Sequence, residues 1–195
     1  MNIAVLLSGH IRTNKYQQLF DRFDQHLIQP NKEGNNIDLF ISAWDNLGGR
    51  ASFEYDHKNH DGVVQDEGLD KNEIHRCFNP TKIKIQNFHE IKPLLEEKTS
   101  KVYAARDQHI GCGKLDGHIR LNRILANCSM WYQWGEVERL KNEYKLQSGI
   151  NYDIVARFRL DFVLTSKFLL RKNDFLTLPA WPDSHNVQPG LNYEE

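Results

Sequence analysis

The sequence is short of most features that would classify it at once. It has three cysteines, Cys77, Cys112 and Cys128, an odd and widely spaced set with no CxxC pair. A disulfide framework is disfavoured, and a reducing compartment fits best. No apolar run approaches the ~18 residues of a membrane span, so no membrane span is expected. The opening run Met1 to Ser8 is too short for a signal peptide and lacks a charged leader. The expected location is cytoplasmic. Charge of one sign is also lacking: Lys+Arg is 25, Asp+Glu is 26, and the formal net charge is -1. Bulk charge therefore gives no reason to expect nucleic acid as a partner, and any anion site must be local. Neither GxGxxG nor GxxxxGK[ST] occurs, which argues against a dehydrogenase and a P-loop enzyme. A GxSxG elbow is absent as well.

What remains is a globular composition of 195 residues, 39% hydrophobic and 26% charged, enough for one domain with a sizeable core. Ile3 to Leu7 is a continuous apolar run, the pattern of a strand buried on both faces of a parallel sheet. Tyr16, Leu19, Phe20 and Phe23 then fall at helical spacing, predicting a helix from about Asn14 to His26. Pro30 to Asn36 reads as a polar turn, and Ile37 to Ala43 as a second strand ending at Trp44-Asp45. Strand, helix and strand make a βαβ unit. Residues 46 to 70 read as a long surface loop. A short helix over Lys71 to Phe78 is stopped by Asn79-Pro80, and Lys82 to Phe88 alternates like a half-buried strand. Ile91 to Lys98 reads as a further short helix. A long helix is expected from about Asp116 to Gln147, with Gly135 as a kink or break and Gly149 as its cap. Phe162 to Leu164, Phe168 to Leu170 and Phe175 to Leu178 read as short strands.

The most informative stretch is Tyr152 to Asp161, YDIVARFRLD. Ile154, Val155 and Ala156 form a short buried strand. Arg157, Arg159 and Asp161 follow at a spacing of two, which puts them on one face of an extended chain. Guanidinium forks suit phosphate, and a carboxylate with phosphate oxygens suits a hard divalent cation. The structural alternative is an ion pair at a strand end. In an open α/β sheet, ligands bind beyond the carboxyl ends of the strands. Three polar groups follow apolar strands here: Ser8, Gly9, His10 and Arg12 after the first, Asp45 after the second, and the Arg/Arg/Asp set at the last. Gly9 lets backbone approach a ligand closely.

Two other clusters are weaker. Asp56 to Asp61 holds two histidines and two carboxylates, but it reads as a solvated loop before a metal site. His109 near Cys112 reads as a flexible turn. The run from Asn127 to Trp134 is richer in aromatic residues than one buried stripe needs. Asn127 and Trp131 could offer a stacking and hydrogen-bonding face to a sugar or base, against plain core packing.

Four segments together resemble a known family. They are Ile3 to Thr13 (IAVLLSGHIRT), Asp38 to Trp44 (DLFISAW), Ser129 to Tyr132 (SMWY) and Tyr152 to Asp161 (YDIVARFRLD), in order over nearly all of residues 3 to 161. The set is similar to GT-A-like nucleotide-diphosphosugar glycosyltransferases of the bacterial and viral type that open on SGQxRT. The resemblance implies an α/β, Rossmann-like sandwich with a central, mostly parallel sheet flanked by helices. It implies one GT-A-like domain over 1–195, with truncation on the C-terminal acceptor side left open. It implies a nucleotide-diphosphosugar donor and a glycan or polysaccharide acceptor. The family's DxD motif binds a divalent metal, Mn2+ or Mg2+. Here Arg159-Leu160-Asp161 supplies one acid where the common pattern has two, and Asp161 is the carried-over metal ligand. Ser8, Gly9, His10, Arg12, Asp45, Asn127, Trp131, Arg157 and Arg159 are the expected donor-binding residues. No catalytic base carries over, and Asp183 and His185 are candidates only by their place in a polar loop after the metal strand. The alternatives are a non-catalytic nucleotide-sugar-binding module and a metal-dependent phosphohydrolase using Asp45, Asp161 and His10.

Overall fold

The computed structural model describes residues 1–12, 14–47, 68–107, 117–161 and 164–172, the side chains of Leu47, 102–107 and 117–127 excepted. The strands are β1 (Asn2–Ile11), β2 (Asn36–Leu47), β3 (Lys82–Gln86) and β4 (Ile154–Arg159). They form one sheet in the order β3-β2-β1-β4, and every neighbouring pair is parallel. The helices are α1 (Tyr16–Phe23), α2 (Gln29–Lys32), α3 (Lys71–Phe78), α4 (Phe88–Asp107) and α5 (Gly117–Ser148). The chain is thus α/β with helices on both faces of a parallel sheet. No helix among the described residues is long and apolar enough to cross a membrane.

β1 sits between two partners, and that explains its composition. Ile3, Ala4, Val5, Leu6 and Leu7 are all 0–1% exposed, so both faces of the strand are covered. Alternation sorts the side chains. Ile3, Val5, Leu7, Leu39, Ile41, Ile154 and Ala156 pack under Tyr16, Leu19 and Phe23 of α1 and Ile74 and Phe78 of α3. Ala4, Leu6 and Phe40 face the other way, under Val137 and Leu140 of α5. α3 has the predicted bounds because its ends are specified locally. The Asp70 carboxylate accepts from the Glu73 N–H at 3.0 Å, and Asn79 closes the helix at φ +40°.

Four expectations change. The helix expected to end at His26 continues through a π-helical turn (Asp24–Ile28) into α2, so Pro30 lies inside a helix and not in a turn. Pro30 stands in the first turn of α2, where its missing N–H is tolerated. The carbonyl four residues back, His26, accepts instead from the Phe168 N–H at 2.8 Å. α5 runs unbroken through Gly135. α4 is far longer than Ile91 to Lys98 and begins at Phe88, which shortens the preceding strand. Phe168 to Leu170 forms no strand. It is clipped to α2 by one side chain: Asn31 Nδ2 donates to the Phe168 carbonyl (2.7 Å), and Asn31 Oδ1 accepts from the Leu170 N–H (2.6 Å). Phe175 to Leu178, most of the 46–70 loop, the Asp56 to Asp61 cluster, and His109 with Cys112 lie outside the described residues.

Asn31 is 5% exposed, so its removal strands buried backbone groups. Asn31→Ala should lower the unfolding free energy by about 2 kcal/mol in urea titration. A change within the noise of the titration would mean that the 168–170 clip carries no stability.

Candidate functional site

The carboxyl edge of the sheet is built by register. Ser8 pairs with Ser42 on one side and with Arg159 on the other. Beyond Ser8 the β1–β2 ladder is irregular: Gly9 pairs with Ala43, but Ile11 pairs with Leu47. Trp44, Asp45 and Asn46 therefore stand opposite the single residue His10. Gly9 adopts φ +111°, a conformation that a side chain would strain.

Three charged groups meet here. Asp161, in the turn after β4, accepts from Arg159 through both oxygens, Nε to Oδ1 at 2.8 Å and a terminal nitrogen to Oδ2 at 2.6 Å. Arg12 Nε lies 3.0 Å from the same Oδ2. Strand ends from opposite extremes of the sequence thus deliver two cations to one carboxylate. The hydrogen bonds it donates to Asp161 hold Arg159 more firmly protonated than usual. His10 lies beside this group, with its ring 6.2 Å from Trp44 and 6.0 Å from Phe88. Burial lowers its pKa to about 4, and the Arg12 charge adds to the effect. His10 is neutral at pH 7.

The other predicted residues are divided among different tasks. Arg157 faces α5 and pairs with Glu138 at 2.6 Å, away from Asp161. Burial pushes the Glu138 carboxyl up, but hydrogen bonds from Lys141 and Arg157 outweigh it and hold the group below its ordinary range. Asp45 accepts from the Phe88 N–H at 3.1 Å, at the start of α4. Ser8 is buried, and its carbonyl accepts from the Leu160 N–H at 3.0 Å. Trp131 is 60% exposed and packs edge-on against Trp134. Asn127 lies on α5, with its side chain outside the described set, as are Asp183 and His185 entirely.

Sequence reasoning missed a buried polar seam between α5 and the sheet. α5 precedes β4 by a short connection and runs antiparallel to it. Its earlier turns therefore cover the carboxyl edge, and the apolar contacts of Val137 and Leu140 give way there to Gln133. Ser42 Oγ donates to Gln133 Oε1, Gln86 donates to Tyr132 Oη at 2.9 Å, and Tyr132 stacks on Trp44 at 5.7 Å and 13°. Trp44 Nε1, Gln133 Nε2, Gln86 Oε1 and both amide atoms of Asn46 are buried with no hydrogen-bond partner. No sequence period marks such a seam, because its members come from three elements, β2, β3 and α5.

No protein-family model matches the chain, and no curated protein or solved structure is similar to it. The four motifs do touch one another: Tyr152 Oη donates to Asp38 at 2.8 Å, Tyr132 stacks on Trp44, and Arg12 meets Asp161. Asp38 also accepts from Thr81, and Asp153 accepts from the Asn2 N–H at 3.0 Å. These acids fasten the amino ends of the strands.

Two stability experiments follow. His10 has a lowered folded-state pKa, so the unfolded chain binds more protons between pH 4 and 6.5. Stability contributed by the neutral ring is complete above pH 6.5 and is lost as pH falls toward 4, on the order of 3 kcal/mol. His10→Gln should flatten that part of the urea midpoint against pH, and an unchanged slope would remove His10 as its source. In the seam, the double variant Ser42→Ala/Gln133→Leu deletes a hydrogen bond together with a buried orphan amide. Its midpoint should match or exceed the parent's, by up to about 1 kcal/mol. A clear loss would mean that the seam is satisfied in solution.

Proposed function

We propose that this chain binds a nucleoside-diphosphate sugar at the carboxyl edge of its sheet and transfers the sugar to a glycan or polysaccharide hydroxyl. One observation carries the reading: Arg12 and Arg159 converge from two adjacent parallel strands on a single carboxylate, beside the left-handed Gly9. Two guanidiniums at one point suit a diphosphate better than a single charged group. When the anomeric C–O bond breaks, the electron pair leaves with the terminal phosphate oxygen. Fixed cations at that oxygen stabilise the charge, commonly the largest single catalytic effect. The acceptor hydroxyl attacks the anomeric carbon, and its proton passes to a base.

In the ligand-free arrangement the described donor set offers a divalent cation no open site. Both oxygens of Asp161 already face guanidiniums, and no cluster of three or more His, Cys, Asp and Glu side chains occurs among the described residues. Arg12 and Arg159 are therefore assigned the leaving-group charge. The same donor set speaks against a two-metal phosphohydrolase, which needs several carboxylates and histidines. A second reading has its own support. His10, the imidazole beside the arginines, is far less basic than usual, and Asp161 is engaged. Both features suit a module that binds a nucleotide sugar without turning it over.

Thermal shift with UDP, GDP and CDP, each with Mn2+ or with EDTA, tests binding. One nucleotide should stabilise the protein, and Arg12→Ala or Arg159→Ala should weaken its Kd by about tenfold or more. Indifference to all three would sink both readings. Release of free sugar or its transfer to an acceptor separates the enzyme from the module.

A further inference from the structure

We infer that Asp161 is the resting occupant of the Arg12–Arg159 anion site, a stand-in that a phosphate-class ligand must displace. The inference rests on the diphosphate reading above and deepens it. It reverses the role that the family resemblance gives this residue, from a group that helps to hold the ligand to one that competes with it.

The geometry is that of a carboxylate filling a phosphate cradle. Arg159 grips Asp161 with two parallel N–H donors, at 2.8 and 2.6 Å, and Arg12 closes the third side at 3.0 Å. This fork is the arrangement in which guanidiniums take phosphate oxygens. The occupant is tethered yet free to leave. Leu160 is fully buried and its N–H is fixed to the Ser8 carbonyl at 3.0 Å, so the backbone holds while the next side chain rotates. The Arg159 and Arg12 side chains are 49% and 27% exposed. Asp161 itself is 15% exposed, and with one partly exposed partner in each pair the two contribute modestly, about 1 kcal/mol each. A diphosphate brings more charge and more acceptor oxygens than one carboxylate, so the exchange favours the ligand. The resting pair keeps the two arginines from repelling each other and holds them in the binding geometry. It also sets a threshold, because weak or singly charged anions must compete with a carboxylate tethered at high local concentration.

Calorimetric titration with inorganic pyrophosphate, in EDTA and again in Mn2+, decides the matter. Asp161→Asn keeps the shape and removes the charge. It should bind pyrophosphate roughly five- to tenfold more tightly than the parent in EDTA, the equivalent of one or two exposed ion pairs. Equal or weaker binding by the variant, while the parent still binds, overturns the displacement proposal and leaves the diphosphate site standing. Silence of both proteins toward pyrophosphate and toward UDP, GDP and CDP overturns the site itself. Should Asp161→Asn fail to fold, carboxyl 13C NMR of the parent reads the same exchange. Pyrophosphate should then shift the Asp161 carboxyl resonance and leave Asp38, held by Tyr152 and Thr81, in place. An unmoved Asp161 signal at saturation refutes the displacement.

Discussion

The register of β1 governs the whole carboxyl edge. Ser8 is held opposite Ser42 and opposite Arg159 at once, because β1 is paired on both sides. A slip of one residue against either neighbour would turn Ile3, Val5 and Leu7 from the α1 side to the α5 side of the sheet. The two cores differ in composition, one large and apolar, the other narrow and closed by Val137 and Leu140. That asymmetry pins the register, and the register in turn brings Arg12 within 3.0 Å of Asp161 across about 150 residues of sequence. The charges at the edge are thus positioned by hydrophobic sorting some 15 Å away, at the ~3.3 Å rise of a strand residue.

Strands were legible where their composition was extreme, and helices where their ends were chemically marked. β1 announced itself by five consecutive apolar residues, and α3 by the stop at Asn79-Pro80. Pro30 misled because it was read as opening a polar turn, when the His26 carbonyl it leaves free has a partner 142 positions along the chain, at Phe168. The break allowed for at Gly135 does not occur, because a glycine costs a helix only about 1 kcal/mol, too little against the contacts of Gln133 and Tyr144 on either side of it. At the site, the spacing of Arg157, Arg159 and Asp161 correctly put the two arginines on one face. It could not tell which would turn to Asp161, since Glu138 is supplied by a helix whose phase against β4 is not written in either segment.

The seam beside the site has a cost of its own. Five of its buried polar atoms have no protein partner, and each would forfeit roughly 1–3 kcal/mol unless water reaches it. They are not scattered. Trp44, Asn46, Gln86 and Gln133 border the carboxyl edge, while the amino half of the same interface is closed by Val137, Leu140, Phe40 and Tyr144 without such losses. The parallel sheet is therefore well satisfied at one end and poorly at the other.

The four motifs divide by chemistry into two groups. Asp38, Tyr152 and Asp153 are taken up by hydrogen bonds that bind the amino ends of the strands together, and Trp44 and Tyr132 by stacking. Any chain needing this sheet would have reason to keep them, whether or not it acts on a sugar. Arg12, Arg159 and Asp161 are different. They bear on the carboxyl edge, their side chains are partly exposed, and fold stability gains little from ion pairs so near water. Structural demand accounts poorly for two guanidiniums aimed at one carboxylate there, and the anion recognition proposed above would account for them. Arg12, Arg159 and Asp161 bear on the proposed function, and the other residues of the resemblance bear on the sheet.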